Sequence, residues 1–375
     1  MSLTLSNISY IVDGEKYIDD INITFTAGSF NVLLGRTLAG KTSLMRLIAG
    51  LDKPSSGSIF MDGVDVTNIP VQKRNIAMVY QQFINYPNLT VFENIASPLR
   101  IAGFDRKIIN DRVKEIAQML HIEPFLERRP LELSGGQQQR TAMARALIKK
   151  GGVILFDEPL VNLDYKLREQ LRIELRELFK TQNTIAIYAS TEPNEALALG
   201  GSTTLMHEGK AIQNGPVEEV YYFPNSIVAA ELFGEPPINI LALTINDCLG
   251  HINDSTAVNF QKMIGMRDLS NGQYKLGIRP HHISTVQQSD DDIAMDVSID
   301  VAEISGSETF LHMTSAVGSI VAQLPGVHSF HTDTPIKIFF PVSKLYIFDL
   351  SGNMIHSPQY LNSLTNSHHN RINYG

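Results

Sequence analysis

The stretch Val32-Leu33-Leu34-Gly35-Arg36-Thr37-Leu38-Ala39-Gly40-Lys41-Thr42-Ser43 decides how the rest of the chain is read. A compact apolar run at residues 29–34 ends on Gly35, and beyond Lys41 the residues Leu44, Leu47 and Ile48 recur at helical spacing. Between strand and helix the spacing is G-x-x-x-x-G-K-[ST]. Gly35 and Gly40 permit a tight backbone path, and the N–H groups of Arg36, Thr37, Leu38 and Ala39 turn inward as an anion nest. The helix N-terminus adds its partial positive charge. Lys41 is placed to reach β- and γ-phosphates, Thr42 to offer a hydroxyl to Mg²⁺, and Ser43 to bond a phosphate oxygen. The competing reading is a glycine-rich turn that matches by accident, and the strand before it and the helix after it weigh against that.

A second run, Val153-Ile154-Leu155-Phe156-Asp157-Glu158, is four apolar residues ending in two acids. Such a strand is buried on both faces in a parallel sheet and delivers its acids at the carboxyl end, where ligands of open α/β sheets bind. Asp157 is expected to hold Mg²⁺ through water, and Glu158 to polarise the attacking water as general base. Standing alone, a solvated acidic turn explains the same residues equally well; the upstream cradle favours the chemical reading.

The chain has 375 residues, which at roughly 100–200 residues per domain gives two or three domains. Hydrophobic residues make up 43% and charged residues 19%, which suits a globular chain with an ample core. A net charge of -8 offers no concentrated basic face, so no nucleic-acid partner is expected. The single cysteine, Cys248, excludes an internal disulfide framework and reads as a small buried residue. There is no secretory pattern at the N-terminus and no apolar run near the ~20 residues of a membrane span. The expectation is a soluble chain that works at a membrane only by docking on embedded subunits.

Alternating runs at 3–12 and 18–25 flank an Asp13-Gly14-Glu15 turn, and 57–61 and 76–80 read as further strands. Ile109, Val113, Ile116 and Leu120 share one helix face. Asp164 can cap a helix whose buried stripe is Leu167, Leu171, Leu175 and Leu178. Residues 184–189 form a buried strand, and 203–207 and 210–213 flank a Glu208-Gly209 hairpin turn. At Gly234-Glu235-Pro236-Pro237 regular structure stops. Short strand-like runs follow at 275–278, 295–304, 309–313, 319–324 and 335–340, the texture of a small β-barrel module. Residues 363–375 are polar and read as a loose tail.

Leu133-Ser134-Gly135-Gly136-Gln137, continued by Gln138-Gln139-Arg140, resembles the signature sequence of ABC ATPases. Gln81, after Met78-Val79-Tyr80, is similar to the family's Q-loop glutamine, and Asn162-Leu163-Asp164 to its D-loop. Five such elements in order cover essentially the whole chain. The resemblance implies an α/β P-loop ABC ATPase domain at 1–235, with a helical subdomain at about 82–150. A C-terminal all-β, OB-like (TOBE-type) regulatory domain at 236–375 follows. It implies ATP and Mg²⁺ as cofactors, with Gln81 a ligand of the ion beside Thr42 and Asp157, and Gln81, Glu158 and the residue at position 191 as the catalytic group. Ser134, Gly135, Gly136 and Gln137 open a helix whose free N–H groups make a second anion site. In the family that site faces the γ-phosphate held by the other subunit, which implies a head-to-tail dimer.

Gly234-Glu235-Pro236-Pro237-Ile238-Asn239, Gly277-Ile278-Arg279-Pro280-His281-His282 and Phe348-Asp349 resemble landmarks of carbohydrate-importer ATPases. His281 and His282 are then structural rather than a metal site, and His368-His369 is solvated. The implied partners are two transmembrane permease subunits, a second ATPase subunit (a paralogue or an identical chain) and, indirectly, a solute-binding protein. The implied place is the cytoplasmic face of the inner membrane, peripherally. Residues 81–93 form the implied docking surface, although Phe83, Ile84, Tyr86 and Leu89 serve equally well as core.

Three positions depart from the family pattern. Thr191, within Ser190-Thr191-Glu192-Pro193, stands where the family has a histidine linking the γ-phosphate to the catalytic carboxylate. A threonine hydroxyl is too short to span that network, so binding is expected to survive and own-site hydrolysis to suffer. Leu38 occupies a cradle position that is commonly glycine. The aromatic that stacks on adenine aligns with Val12; Tyr10 and Tyr17 are alternatives, and none is assigned. These variants resemble importer ATPases for glycerol and related polyols that work as pairs of two different ATPase chains.

Overall fold

The computed structural model describes residues 1–28, 30–149, 152–161, 163–181, 183–247, 249–253, 256–260 and 269–358. Asn162, Cys248, His368 and His369 lie outside the described residues, as does the tail expected at 363–375. The chain divides into two compact units at Glu218/Glu219.

The first unit opens with β1 (Ser2–Val12) and β2 (Glu15–Thr26), paired antiparallel. Asp13 and Gly14 join them with φ of 50° and 86°; two successive positive φ values match the right-handed twist of a hairpin. Then come β3 (Phe30–Leu34), α1 (Lys41–Ala49), β4 (Ser56–Met61), β5 (Val64–Asp65) and β6 (Ile76–Val79). Three helices follow: α2 (Val91–Ile101), α3 (Arg106–Met119) and α4 (Gly135–Leu147). Reciprocal capping boxes start two of them, Thr90 with Glu93 and Ser134 with Gln137. The unit continues with β7 (Val153–Asp157), α5 (Tyr165–Thr181), β8 (Ile185–Ser190), α6 (Pro193–Leu199), β9 (Ser202–His207) and β10 (Lys210–Pro216). Asp164 caps α5 as its sequence position suggests, accepting from the Leu167 N–H at 3.0 Å.

Two sheets result, β2-β1-β4-β5 and β10-β9-β3-β8-β7-β6. In the second, β9, β3, β8, β7 and β6 run parallel. Residues of β3, β7 and β8 are buried throughout, as continuous apolar runs in a two-sided parallel sheet must be. On one face Leu33, Leu155 and Ile187 join Leu44, Leu47 and Ile48 of α1 and Leu3, Leu5 and Phe25 of the antiparallel sheet in one core. On the other, Phe30 and Phe156 pack edge-on to Phe179 of α5, with centroids 5.1 and 5.9 Å away. Period-two alternation thus sends every second side chain of a five-residue strand into a different core.

Helix α7 (Val217–Tyr222) crosses the division, and α8 (Ile227–Leu232) lies in the second unit. Its described residues otherwise form strands, with short 3-10 turns at Pro280–His282 and Val342–Lys344: β11 (Asn239–Asn246), β12 (Leu249–His251), β13 (Ala257–Asn259), β14 (Gly272–Ile278), β15 (Asp292–Ser305), β16 (Glu308–Ser315), β17 (Gly318–Pro325), β18 (Pro335–Pro341), β19 (Tyr346–Phe348) and β20 (Met354–His356). They pair in two sheets, β13-β12-β11-β14-β19-β20 and β17-β16-β15-β18, which share one core around Leu276, Ile299, Leu311 and Ile338. Arg279 is only 1% exposed. Its guanidinium donates to the carbonyls of Tyr221 at 2.6 Å and Phe233 at 3.4 Å and lies 4.1 Å from the Tyr221 ring centroid. Those bonds hold residues ahead of Pro236 to the second unit, so the contact boundary falls before the proline pair.

Candidate nucleotide site

Four neighbouring strands, β3, β8, β7 and β6, run parallel and end on one edge. Each leads directly into residues singled out in the sequence: the Gly35–Thr42 loop after β3, Thr191 after β8, Glu158 after Asp157 closes β7, and Gln81 after β6. The carboxyl edge of an open α/β sheet is where loops converge on a ligand.

The side chains meet there. Lys41 is 5% exposed; its ammonium donates to the carbonyls of Gly35 at 2.7 Å and Arg36 at 3.2 Å and lies 3.6 Å from Glu158 Oε1. Burial lowers its pKa, against the opposing pull of Glu158 and Asp157. Thr42 Oγ1 lies 3.0 Å from each oxygen of Asp157 and donates to that carboxylate. Asp157 is 4% exposed, and burial raises its pKa despite the Thr42 bond. Gln81 Nε2 donates to Glu158 Oε2 at 3.2 Å. Glu158 itself sits at φ 48°, a left-handed conformation that a non-glycine residue adopts at a cost and that recurs at functional sites.

The cradle has no room for side chains at its glycines. A β-carbon on Gly35 would lie 2.4 Å from the Met206 carbonyl oxygen, and one on Gly40, at φ 96°, would lie 2.9 Å from that of Tyr17. The donor set is all oxygen, from Thr42 and Asp157, with the Gln81 amide beside it. That chemistry fits Mg²⁺, a hard cation that takes one or two protein ligands and completes its shell from phosphates and water. Among the described residues no cluster of three His, Cys, Asp or Glu could hold a metal by itself.

Ser134 Oγ accepts from the Gln137 N–H at 3.3 Å, and Gln137 Oε1 accepts from the Ser134 N–H at 3.0 Å. The N–H groups of Gly135 and Gly136 then remain as the unpaired donors of α4. Among the described residues no hydrogen bond joins Ser134–Gln137 to the cradle. One residue of the helix does reach the β7 exit: the Gln139 amide donates to the Pro159 carbonyl. Thr191 is exposed and makes no hydrogen bond to the cluster among the described residues, although the preceding Ser190 carbonyl accepts from the Gly35 N–H at 3.3 Å. Arg36, Thr37 and Leu38 are exposed while Ala39 is buried, and Leu38 is 95% exposed at φ 67°.

Sequence reading missed two supports. Glu195 is buried, and its carboxylate accepts from Ser190 Oγ at 2.5 Å and the Tyr188 hydroxyl at 3.2 Å. Burial raises its pKa. The Ser190 it grips is the residue bonded to Gly35, so this acid holds the β8 exit against the start of the cradle. The second is Arg74, whose Nη1 donates to the carbonyls of Leu47 at 2.9 Å and Ile48 at 2.7 Å in the last turn of α1, where the Leu47 carbonyl also accepts from the Gly50 N–H at 3.1 Å. An acid five residues past a buried strand was the visible signal for Glu195; nothing local marked Arg74.

Residues 18–161 match the ABC transporter family. The sn-glycerol-3-phosphate import ATP-binding protein UgpC of Yersinia enterocolitica is 35% identical over 355 residues, 94% of this chain and 98% of that protein. Its namesake in Paraburkholderia xenovorans is 35% identical over 361 residues, 93% and 97% respectively. Among solved structures, the ATP-binding cassette MJ0796, a dimer in a post-hydrolysis state bound to ADP and phosphate, superposes with a TM-score of 0.54. It is 26% identical and covers 57% of this chain and 98% of its own.

Proposed function

The chain belongs to the ABC transporter family, and on that premise we propose that it is the ATP-binding subunit of a carbohydrate or polyol importer, with glycerol favoured. The observation that carries this is the delivery of Lys41, Thr42, Gln81, Asp157 and Glu158 to one edge by neighbouring parallel strands. The relatives are named for import of sn-glycerol-3-phosphate, which supports a three-carbon polyol or its phosphate as cargo. ATP with Mg²⁺ is what the family uses.

The residues divide the work. Backbone N–H groups from Gly35 to Ala39 and the start of α1 cradle the phosphates, and Lys41 leaves its carbonyl partners to neutralise them. Thr42 and Asp157 hold Mg²⁺, which when bound neutralises charge that develops on the phosphate oxygens. Glu158 accepts the proton of the attacking water while Gln81 fixes its carboxylate. Ser134–Gln137 complete the site of a second ATPase subunit. The permease subunits carry the solute, and the chain sits peripherally at the cytoplasmic face of the inner membrane.

The test is glycerol uptake by cells lacking this chain, restored with wild type or with Lys41→Ala. Wild type restores uptake and the variant does not; uptake that never depended on the chain refutes the cargo and leaves the ATPase reading standing.

Thr191 favours a second reading, in which this chain binds ATP, turns it over weakly and completes the site of a paralogous subunit. Among the described residues its hydroxyl makes no hydrogen bond to Lys41, Gln81 or Glu158. Steady-state ATPase of the purified chain beside Thr191→His separates the two. Turnover by the wild type equal to the variant's removes this second reading.

A further inference from the structure

The turn that joins α2 to α3 is open to solvent without a break. Every residue from Ile101 to Ile108 is exposed. Three of them are large and apolar: Ile101 is 87% exposed, Phe104 40% and Ile108 40%. The buried stripe of α3 runs through Ile109, Val113 and Ile116, so Ile108 stands outside it. The turn is closed by its own backbone. The N–H groups of Ala102, Gly103 and Phe104 donate to the carbonyls of Pro98, Arg100 and Leu99, each at 3.1 Å. Ile101 and Phe104 are thus presented on a fixed loop.

Cations border these apolar residues. Arg106 and Lys107 lie between Phe104 and Ile108 in the chain. The Arg112 guanidinium is 4.8 Å from the Phe104 ring centroid, and Ile108 lies one helical turn ahead of Arg112 on the same side. Residues 100–114 hold five Lys or Arg against two acids, Asp105 and Asp111, in a chain whose net charge is -8. Two further acids flank the stretch: Glu93, 4.0 Å from Arg100, and Glu115. The cores of protein–protein interfaces are depleted of charge, whereas apolar side chains mixed with long cations suit a lipid headgroup layer. There the apolar groups sink to the acyl boundary and the cationic heads stay at the phosphates. No described helix is long and apolar enough to cross a membrane, so such a contact is superficial.

We propose that this turn rests directly on an anionic lipid surface, with Ile101, Phe104 and Ile108 at the headgroup boundary and Arg106, Lys107 and Arg112 on lipid phosphates. This goes beyond docking on permease subunits, whose implied surface is residues 81–93, and it needs no permease.

Co-sedimentation of the full chain with vesicles tests it. The chain binds vesicles of phosphatidylcholine mixed with phosphatidylglycerol and not vesicles of phosphatidylcholine alone, and high salt weakens the binding. Arg106→Gln combined with Lys107→Gln weakens binding about 30-fold, at roughly fivefold per cation near the surface. Ile101→Ser weakens it about tenfold. Lys53→Gln combined with Lys73→Gln removes the same charge from exposed residues elsewhere and changes binding by less than about twofold. Melting curves and ATP titrations of these variants match wild type. A chain that ignores the mixed vesicles, or binds both kinds equally, overturns the proposal and leaves the face to a protein partner. Equal loss in the control pair, or full binding by Ile101→Ser, overturns it as well, because the attraction then belongs to the whole surface and not to this turn. None of these failures touches the nucleotide site.

Discussion

Replacing Gly35 by alanine tests whether the cradle has any freedom to yield. The new β-carbon would sit 2.4 Å from the Met206 carbonyl oxygen and 2.9 Å from the Ala39 β-carbon. Ordinary contact begins at 3.4 Å, so about 1 Å must be found. Met206 cannot supply it. It is fully buried in β9, paired with Ala211 of β10, and its neighbour Leu205 is paired with Leu34 of β3. Ala39 is buried. The displacement therefore falls on the loop from Gly35 to Gly40. Overpacking of this kind costs about 1–3 kcal/mol of stability, and a shift of ~1 Å at a reacting group costs on the order of 10²-fold in activity. Gly14→Ala is the control. Gly14 has φ 86° and nothing within 4 Å of the added atom, so alanine there costs about 1–2 kcal/mol of backbone strain and touches no cradle. Thermal melts rank the two variants as comparably destabilised, while ATP titration finds Gly35→Ala weakened by about two orders of magnitude and Gly14→Ala unchanged. Gly35→Ala that binds ATP within threefold of wild type, or a Gly14→Ala that loses as much, refutes the rigid-cradle argument.

Leu38→Gly removes a bulky residue from φ 67°. Relief of roughly 1–2 kcal/mol outweighs the roughly 0.5–1 kcal/mol that glycine's backbone freedom costs, so the melting temperature rises slightly; a fall shows that Leu38 packs on something that matters. His282 is held down to about 3 by burial and by His281, Lys344 and Arg279, and its Nδ1 is buried without a partner. The folded chain resists a proton that the unfolded chain takes up near pH 6.5, so stability is complete above that pH and falls as pH drops towards 3. The loss is at most about 1.4 kcal/mol per pH unit, and His282→Phe flattens it; an unchanged acid limb in urea titrations excludes His282 as its source. Arg279→Met leaves the carbonyls of Tyr221 and Phe233 without their donor, at about 1–3 kcal/mol each. The second unit then melts earlier while ATP affinity is retained, and loss of ATP affinity counts against that separation.

What was legible in the sequence was what is decided locally. The cradle, the acids closing β7 and the helix start at Ser134–Gln137 each lie within a dozen residues. The hidden features are decided by a second segment. Helix α2 falls inside the expected helical subdomain, but Pro98 interrupts its local signal; Thr90 and Glu93 fix its start, and Asn94 donates to the Tyr86, Leu89 and Thr90 carbonyls, tying that start to the preceding loop. Strand β11 alternates buried and exposed along most of its length, but it begins two residues after a proline pair that signals interruption. Glu195 looks like an acid on the polar side of a short helix; only the Ser190 and Tyr188 hydroxyls make its burial tolerable. Arg74 is a surface cation until α1 ends against it. Tyr17, the extra residue of a β-bulge where Tyr10 pairs with Ile18 and Ile11 with Lys16, shows the limit most sharply. Alternation along β2 assigns its ring to one face or the other, but a bulge exists only as a mismatch in count between two strands. Both runs read as strands, the second from residue 18 although β2 begins at Glu15, and neither holds the information that one residue of the pair has no opposite.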